Sequence, residues 1–577
     1  MNMVELTENA LKILRARYLL KDEAGRVVEA PEEMFRRVAR TVAAAERLYG
    51  EDALHWEEVF FEMLSALRFL PNSPALMNAG KEMGQLAACF VLPVQDSMKS
   101  IFDTLKNAAL ILQSGGGTGF SFSNLRPKED AVRSTGGVAS GPVSFMKIYN
   151  AAADVIKQGG ARRGANMGIL RVDHPDILEF IRVKRDSSEL ANFTISVAVT
   201  DAFMDALERD ETYELKNPRT GQPAGEVRAR EVFAEIVESA WLSGDPGVVF
   251  IDRVNRSNPT PHLGEIESTN PCGEQPLLPY EACILGSLNL SKYVRNSILE
   301  GTGSPSVDYE AMGRDVRSAV RFLDDAIDAN RYPLPEIEEM HKGNRKVGLG
   351  VMGWADMLVL MGIPYESEEA LGLAGEVMRF VEETSKAESE HLGKTKGLFP
   401  NFPGSVYDKE GMPRVRNATT TTIAPTGTLA TIADCSSGIE PYFALAYKRF
   451  VLGGEMQEIN RLFFALAKKR GFFSRELEET VLRKGDLRGV RGVPADVKKL
   501  FKTASEISFR THIAMQAAFQ RYTDNAVSKT INMKRSATKK DVAEAFLMAY
   551  EMGCKGITIF RHGGKKRGTL MRLADAD

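Results

Sequence analysis

The run Ser268-Thr269-Asn270-Pro271-Cys272-Gly273-Glu274-Gln275-Pro276-Leu277 places an amide, a thiol and a carboxylate at i, i+2 and i+4. A second thiol, Cys283, follows eleven residues after Cys272. Pro271 and Gly273 flank Cys272, so it belongs to neither regular helix nor regular strand. Extended backbone here would send alternate side chains one way and converge Asn270, Cys272 and Glu274 on a single space. That is an unusual set: a reactive sulfur with a proton acceptor and a hydrogen-bonding amide around it. The competing reading is a buried structural thiol, with Asn270 capping a turn and Glu274 in solvent.

Other stretches carry chemistry less clearly. Leu86 to Pro93 reads as a strand holding Cys89, which alone is a core residue, and Asp96 follows it. Gly115-Gly116-Gly117-Thr118-Gly119-Phe120 lies between a helix and a strand but is no dinucleotide or Walker fingerprint. Close backbone packing and ligand contact both remain open for it. Lys157-Gln158-Gly159-Gly160-Ala161-Arg162-Arg163 mixes glycine with cations and suits either a mobile loop that meets phosphates or a solvated turn. Thr419 to Ala424 reads as a β-branched strand entering Pro425-Thr426-Gly427-Thr428 and a short helix. Free N–H groups and the helix dipole there favour a phosphate seat over a simple N-cap cluster.

These stretches sit in a chain of 577 residues, beyond the ~250–300 at which single cores stop growing. The residues are 44% hydrophobic and 26% charged with net charge −3, which offers no basic field for nucleic acid or membrane. Five scattered cysteines and the lack of a signal-peptide pattern lead us to expect a reducing, cytoplasmic setting. The apolar run Val347 to Ile363 is studded with glycine and carries Asp356, so it is not a membrane span. Helical periodicity predicts Leu6 to Leu20, Pro31 to about Gly50 and Glu57 to Leu70, a layer over 1–70 without chemistry. It also predicts helices over Pro142 to Ile156, Asp308 to Asn330, Ser367 to Gly393, Ser505 to Val527 and Thr538 to Met552. A hairpin-like insert spans Tyr213 to Val227, and Ile557 to Phe560 is a last strand before a basic tail, 566–577.

Taken together the motifs resemble an adenosylcobalamin-dependent (class II) ribonucleotide reductase over nearly the whole chain. The resemblance rests on Pro71-Asn72-Ser73-Pro74-Ala75, Ala88-Cys89-Phe90-Val91-Leu92-Pro93, the glycine run at 115–120, Arg162-Arg163-Gly164-Ala165-Asn166, Asn270-Pro271-Cys272-Gly273-Glu274, Ala424-Pro425-Thr426-Gly427-Thr428 and Asp524-Asn525-Ala526-Val527-Ser528-Lys529. Singly each is weak; in this order they are specific. It implies a ten-stranded α/β barrel over 71–565, of two five-stranded antiparallel halves, with a central finger loop carrying Cys272.

The same resemblance implies Cys272 as the thiyl residue, Glu274 as general base and Asn270 as the orienting amide. Cys89 and Cys283 become the dithiol that is oxidised. Ala88, Arg162, Pro425, Thr426, Gly427 and Thr428 would meet substrate, and Asp96, Lys157 and Gln158 a deoxynucleotide effector. It further implies a ribonucleotide substrate, expected to be a diphosphate, a thiol reductant such as thioredoxin, and a homodimer; no metal is held directly by side chains. The chain ends without the cysteine pair that many relatives carry there, and no ATP-binding regulatory cone is recognisable at its start. Cys435 and Cys554 read as structural. Thr558-Ile559-Phe560-Arg561 stands where class I relatives carry a tyrosine pair, which disfavours a radical made on a partner subunit. A catalytically silent nucleotide-binding paralogue is the other alternative, against which the five retained reactive positions argue.

Overall fold

The first helices form because their apolar residues recur on one face. They are α1 (Glu8–Arg17), α2 (Pro31–Ala43) and α3 (Ala53–Ser65). The computed structural model describes residues 4–572 except 133–135, 159–161, 164, 187, 302, 452–453 and 565–569. α3 starts and stops earlier than its periodicity predicts. Asp52 caps it by accepting from Leu54 and His55 N–H, and Leu67 turns the chain with positive φ. Phe35, Val38, Phe60 and Met63 bury their side chains from this layer.

Among the described residues nine strands of the main sheet follow: β1 (Cys89–Pro93), β2 (Gly117–Ser121), β3 (Asn166–Arg171), β4 (Phe193–Val199), β5 (Gly247–Phe250), β6 (Ala282–Asn289), β7 (Val347–Met352), β8 (Thr530–Met533) and β9 (Gly556–Arg561). β1 to β5 pair in order and all parallel. β6 pairs β7, and β8 pairs β9, again parallel. The two sets meet antiparallel at β1–β6 and β5–β9. Phe69–Pro71 adds a short antiparallel strand to β6. All eight residues of β6 are buried, as expected where helices cover both faces of parallel strands.

Between β7 and β8 the circuit is completed by 419–423 through isolated bridges, Leu349 to Thr421 and Ile423 to Val527, both parallel. Counting this connector, each half has five strands. The threonines favour extended backbone here, as expected, but a full ladder does not form. Asp524 Oδ2 accepts from the N–H of both Thr420 and Thr421, taking donors a neighbouring strand would use.

The helices include α4 (Met98–Gln113), α5 (Pro142–Val155), α6 (Tyr309–Ala329), α7 (Glu368–Thr395), α8 (Phe509–Gln520) and α9 (Lys539–Glu551). α8 is shorter than the predicted Ser505 to Val527, because Ser508 caps it and a turn follows Gln520. Thr538 and Asp541 close a capping box on α9. The helical layer is fastened to the barrel by buried charges. Glu46 takes Arg321 at 2.6 Å and Lys396 at 2.9 Å, and Lys396 also meets Asp325. Such a network costs desolvation when intact, so its value lies in register; losing one partner would cost about 3–5 kcal/mol. Leu570–Arg572 pairs antiparallel with Arg449–Tyr447. No helix among the described residues is long and apolar enough to cross a membrane.

Candidate active site

The thiol-bearing run is a hairpin. Ser268 pairs with Leu277 and Thr269 with Pro276, while Gly273 N–H donates to Asn270 O and Asn270 N–H to Gln275 O, both at 3.1 Å. Residues 270–274 therefore form a tight turn, neither regular helix nor strand, and not the extended run in which the three side chains would converge. Gly273 sits at φ +82°, a conformation open to glycine at little cost. The turn separates the three groups: Asn270 and Glu274 are buried, and Cys272 is exposed at the tip.

Its seat is built from both halves of the barrel. On one side the hairpin lies against β2 so closely that a Cβ on Gly119 would stand 1.7 Å from Thr269 O. The glycine run thus serves close packing. On the other side Glu274 O accepts from Ala526 N–H at 2.9 Å and Thr422 Oγ1 at 2.8 Å. We expect Gly119→Ala to displace the hairpin, destabilise by about 1–3 kcal/mol and remove activity. Urea unfolding and turnover measured together check this, and an unaltered midpoint with full turnover refutes it.

Antiparallel register places Cys89 directly opposite Cys283. Residues so opposed have Cα atoms about 4.5–5.5 Å apart, within reach of a disulfide. Both thiols are buried, and burial pushes both well above the usual thiol range. Beyond burial, the Glu274 carboxylate raises Cys89 further, whereas at Cys283 the Lys346 ammonium draws the thiol down and the Glu281 and Glu274 carboxylates push it up. Asn270 Nδ2 donates to Cys89 Sγ at 3.1 Å, and its Oδ1 accepts from Gln275 N–H at 3.0 Å. The amide therefore ties the hairpin to the dithiol.

Burial pushes Glu274 up to about 7, against its own backbone N–H and the Asn270 amide, which act the other way. Its Oε2 is buried and has no hydrogen-bond partner among the described residues. An unpartnered buried carboxylate oxygen is costly, and at this position it is an acceptor waiting for a donor.

The remaining candidates fall in two places. Ala88 packs against the Cys89 and Cys283 cluster. Gly427–Ile432 is a short helix whose entry exposes Pro425 and Gly427, while Thr428 is half-buried. Thr426 is buried, its Oγ1 accepting from Gly438 N–H at 2.8 Å. Its hydroxyl braces the loop instead of facing outward. Arg449 Nη1 donates to Gly427 O at 2.8 Å, bringing a cation the sequence reading did not single out. Asp96 is engaged by Arg126 at 2.8 Å. Lys157–Gln158 and Arg162–Arg163 pair as a two-residue ladder. The side chains of Lys157, Gln158 and Arg162 lie outside the described residues, as do residues 159–161 and 164.

The hairpin thus sets an exposed thiol and a buried carboxylate against a cross-strand pair of thiols, inside a barrel of two parallel halves. The match to family models names it: "Ribonucleotide reductase, all-alpha domain" over residues 4–84 and "Ribonucleotide reductase, barrel domain" over 87–560. The chain belongs to the ribonucleotide reductase family. It is 49% identical to a "Vitamin B12-dependent ribonucleoside-diphosphate reductase" of Thermoplasma acidophilum, over 97% of this chain and 80% of that protein. A Mycobacterium tuberculosis protein of the same name is 48% identical over 99% of this chain and 81% of its own. Among solved structures, the class Id ribonucleotide reductase alpha subunit of Actinobacillus ureae superposes with TM-score 0.79, covering 97% of this chain and 98% of that one. At 22% identity that likeness speaks for the fold alone.

Proposed function

We propose that this chain reduces ribonucleoside diphosphates to 2′-deoxyribonucleotides, with adenosylcobalamin as radical source. The observation that carries the reading is the hairpin that presents Cys272 while setting Asn270 and Glu274 against the opposed Cys89 and Cys283. The names of the two relatives supply substrate and cofactor class. The open face of the hairpin fits a bulky group, since Cys272 is exposed and a Cβ on Gly273 would meet nothing within 4 Å. When bound, adenosylcobalamin supplies a radical by cobalt–carbon homolysis, chemistry that belongs to the cofactor.

Direct displacement of a ribose 2′-hydroxyl is unworkable, but loss of hydrogen from C3′ makes it feasible. Cys272 Sγ, as thiyl, takes that hydrogen reversibly because S–H and ribose C–H bonds are close in strength. Glu274 accepts the 3′-hydroxyl proton; a group titrating near 7 is matched to that task. Asn270 orients the sugar hydroxyls. Cys89 protonates the departing 2′-oxygen as water, and Cys89 and Cys283 give two electrons and end as a disulfide. Cys272 then returns hydrogen to C3′. The barrel wall keeps water from the radical. The entry of Gly427–Ile432, with Arg449 behind it, receives the phosphates.

Regulation and partners follow the family. A deoxynucleotide effector binds near Asp96 and the loop from Lys157 to Arg163, at an interface between two copies. A thioredoxin-like dithiol restores Cys89 and Cys283 in a reducing cytoplasm. In support of the dimer, α4 exposes Met98, Phe102 and Leu110, and the neighbouring α5 exposes Ile148 and Val155. Phe102→Glu should convert a dimer to a monomer in light scattering. An unchanged mass refutes that interface.

The reading is tested by deoxynucleotide formation from CDP, anaerobically in dim light, with dithiothreitol and an effector, with and without adenosylcobalamin. Product only with cofactor supports it. Cofactor-independent product with a metal-radical partner would favour the class I alternative, which Phe560 at the end of β9 opposes.

A further inference from the structure

The dithiol is not symmetric. Cys283 precedes the stretch where β6 and β7 run in parallel register from Ile284 opposite Val347 to Asn289 opposite Met352. One residue back, that register sets Lys346 beside Cys283, and Cys283 Sγ lies 3.6 Å from Lys346 O. Lys346 Nζ forms an ion pair with Glu281 at 2.7 Å, each side chain 1% exposed. Glu281 is shared further, accepting from Asn344 Nδ2 and from Leu278 N–H. Set in strand register beside Cys283, this buried ammonium acts on the sulfur through a low-dielectric interior, against the Glu281 and Glu274 carboxylates.

Cys89 differs in lying beside a carboxylate and a neutral amide. The carboxylate of Glu274 faces it from the hairpin, and its sulfur accepts from the neutral amide of Asn270 at 3.1 Å. A neutral donor supports a thiolate less than an ammonium does. Access points the same way: Cys89 is 4% exposed and Cys283 0%.

Resting on the reductase reading for its physiological use, we propose that the buried Lys346–Glu281 pair makes the Cys89–Cys283 disulfide directional. An incoming thiolate attacks Cys89 Sγ, the Cys89–Cys283 bond breaks, and its electron pair leaves on Cys283 as thiolate. The second thiol of a dithiol reductant, as thiolate, then attacks the reductant sulfur of the mixed disulfide. That step releases Cys89 thiolate and oxidises the reductant, and the two thiolates take up two protons. Disulfide exchange runs faster when the sulfur that departs is the better-stabilised thiolate. Lys346 is thus a positioning residue for re-reduction, acting through Cys283. Charges facing Cys283 are Lys346, Glu281 and Glu274, with Cys89 across the strand pair.

The test uses the full chain, oxidised with diamide and mapped to confirm the Cys89–Cys283 disulfide. A short pulse of 2-mercaptoethanol is quenched with iodoacetamide and read by peptide mass spectrometry. The adduct is expected on Cys89 and the carbamidomethyl group on Cys283. Lys346→Met should slow the opening by about tenfold, as expected where loss of an opposite charge moves a neighbouring group by 1–3 pH units, and spread the adduct over both sulfurs. Lys346→Arg should restore direction. Glu281→Gln, which breaks the same ion pair but leaves the ammonium uncompensated, should quicken opening. A merely structural role would shift both variants the same way, and that result overturns the proposal, as does an adduct mainly on Cys283 or failure to form the disulfide. No nucleotide or cofactor enters this assay. Directional exchange in a chain that makes no deoxynucleotide would keep this inference and sink the reductase reading; the converse pattern would do the reverse.

Discussion

Glu274→Gln is expected to lower kcat/KM by about 10²–10⁴, the usual contribution of a positioned base, while making the fold more stable above neutral pH. The activity side follows from role and position. In the native chain kcat/KM should climb with pH as Glu274 ionises around 7, and in the variant that limb should vanish. The stability side follows from linkage. The folded value, about 7, lies above the ordinary 4.5, so the folded state holds a proton that the unfolded state has lost. The stabilisation from that proton is complete below about 4.5 and is lost as pH rises through 7. The gap corresponds to roughly 3 kcal/mol at pH 8, which glutamine, never charged, does not forfeit. Urea unfolding at pH 5 and pH 8 decides it: the variant should gain on the native chain only at pH 8. Equal midpoints at both would show that Glu274 is not a strained buried acid.

Cys272→Ser should abolish deoxynucleotide formation altogether, because a serine O–H bond is too strong to exchange hydrogen with ribose carbon. Its effect elsewhere should be small. Cys272 is exposed at the hairpin tip, and surface substitutions usually stay within about 0.5 kcal/mol. Nucleotide binding by calorimetry should therefore match the native chain. Residual turnover above background would remove Cys272 from the chemistry. Loss of binding as well would mean the tip holds substrate instead of attacking it.

Much of this was legible in residue order. α6 and α7 follow their apolar spacing, with Asp308 and Ser367 as their caps, and Thr538 with Asp541 closes the capping box of α9. Local rules sufficed there because cap and helix lie within one turn of each other. The break from regular structure at Cys272 is local too: Gly273 admits a left-handed turn, and the backbone bonds of Asn270 close it. The connector 419–423 failed for a distant reason, since Asp524 lies about a hundred positions away along the chain and claims its N–H groups.

The residue types and motif order by themselves pointed to the family, and singled out the set proposed as reactive, Asn270, Cys272, Glu274, Cys89 and Cys283. Chemistry depends on which atoms are present, and those are written in the chain. Only the tertiary structure decided how the set is divided: one exposed thiol, two buried thiols in cross-strand register, and a carboxylate raised to about 7 by burial. Only it placed Lys346 beside Cys283, 63 positions apart, and Arg449 beside Gly427. Burial and electric field are sums over neighbours from distant strands, so no window of sequence contains them.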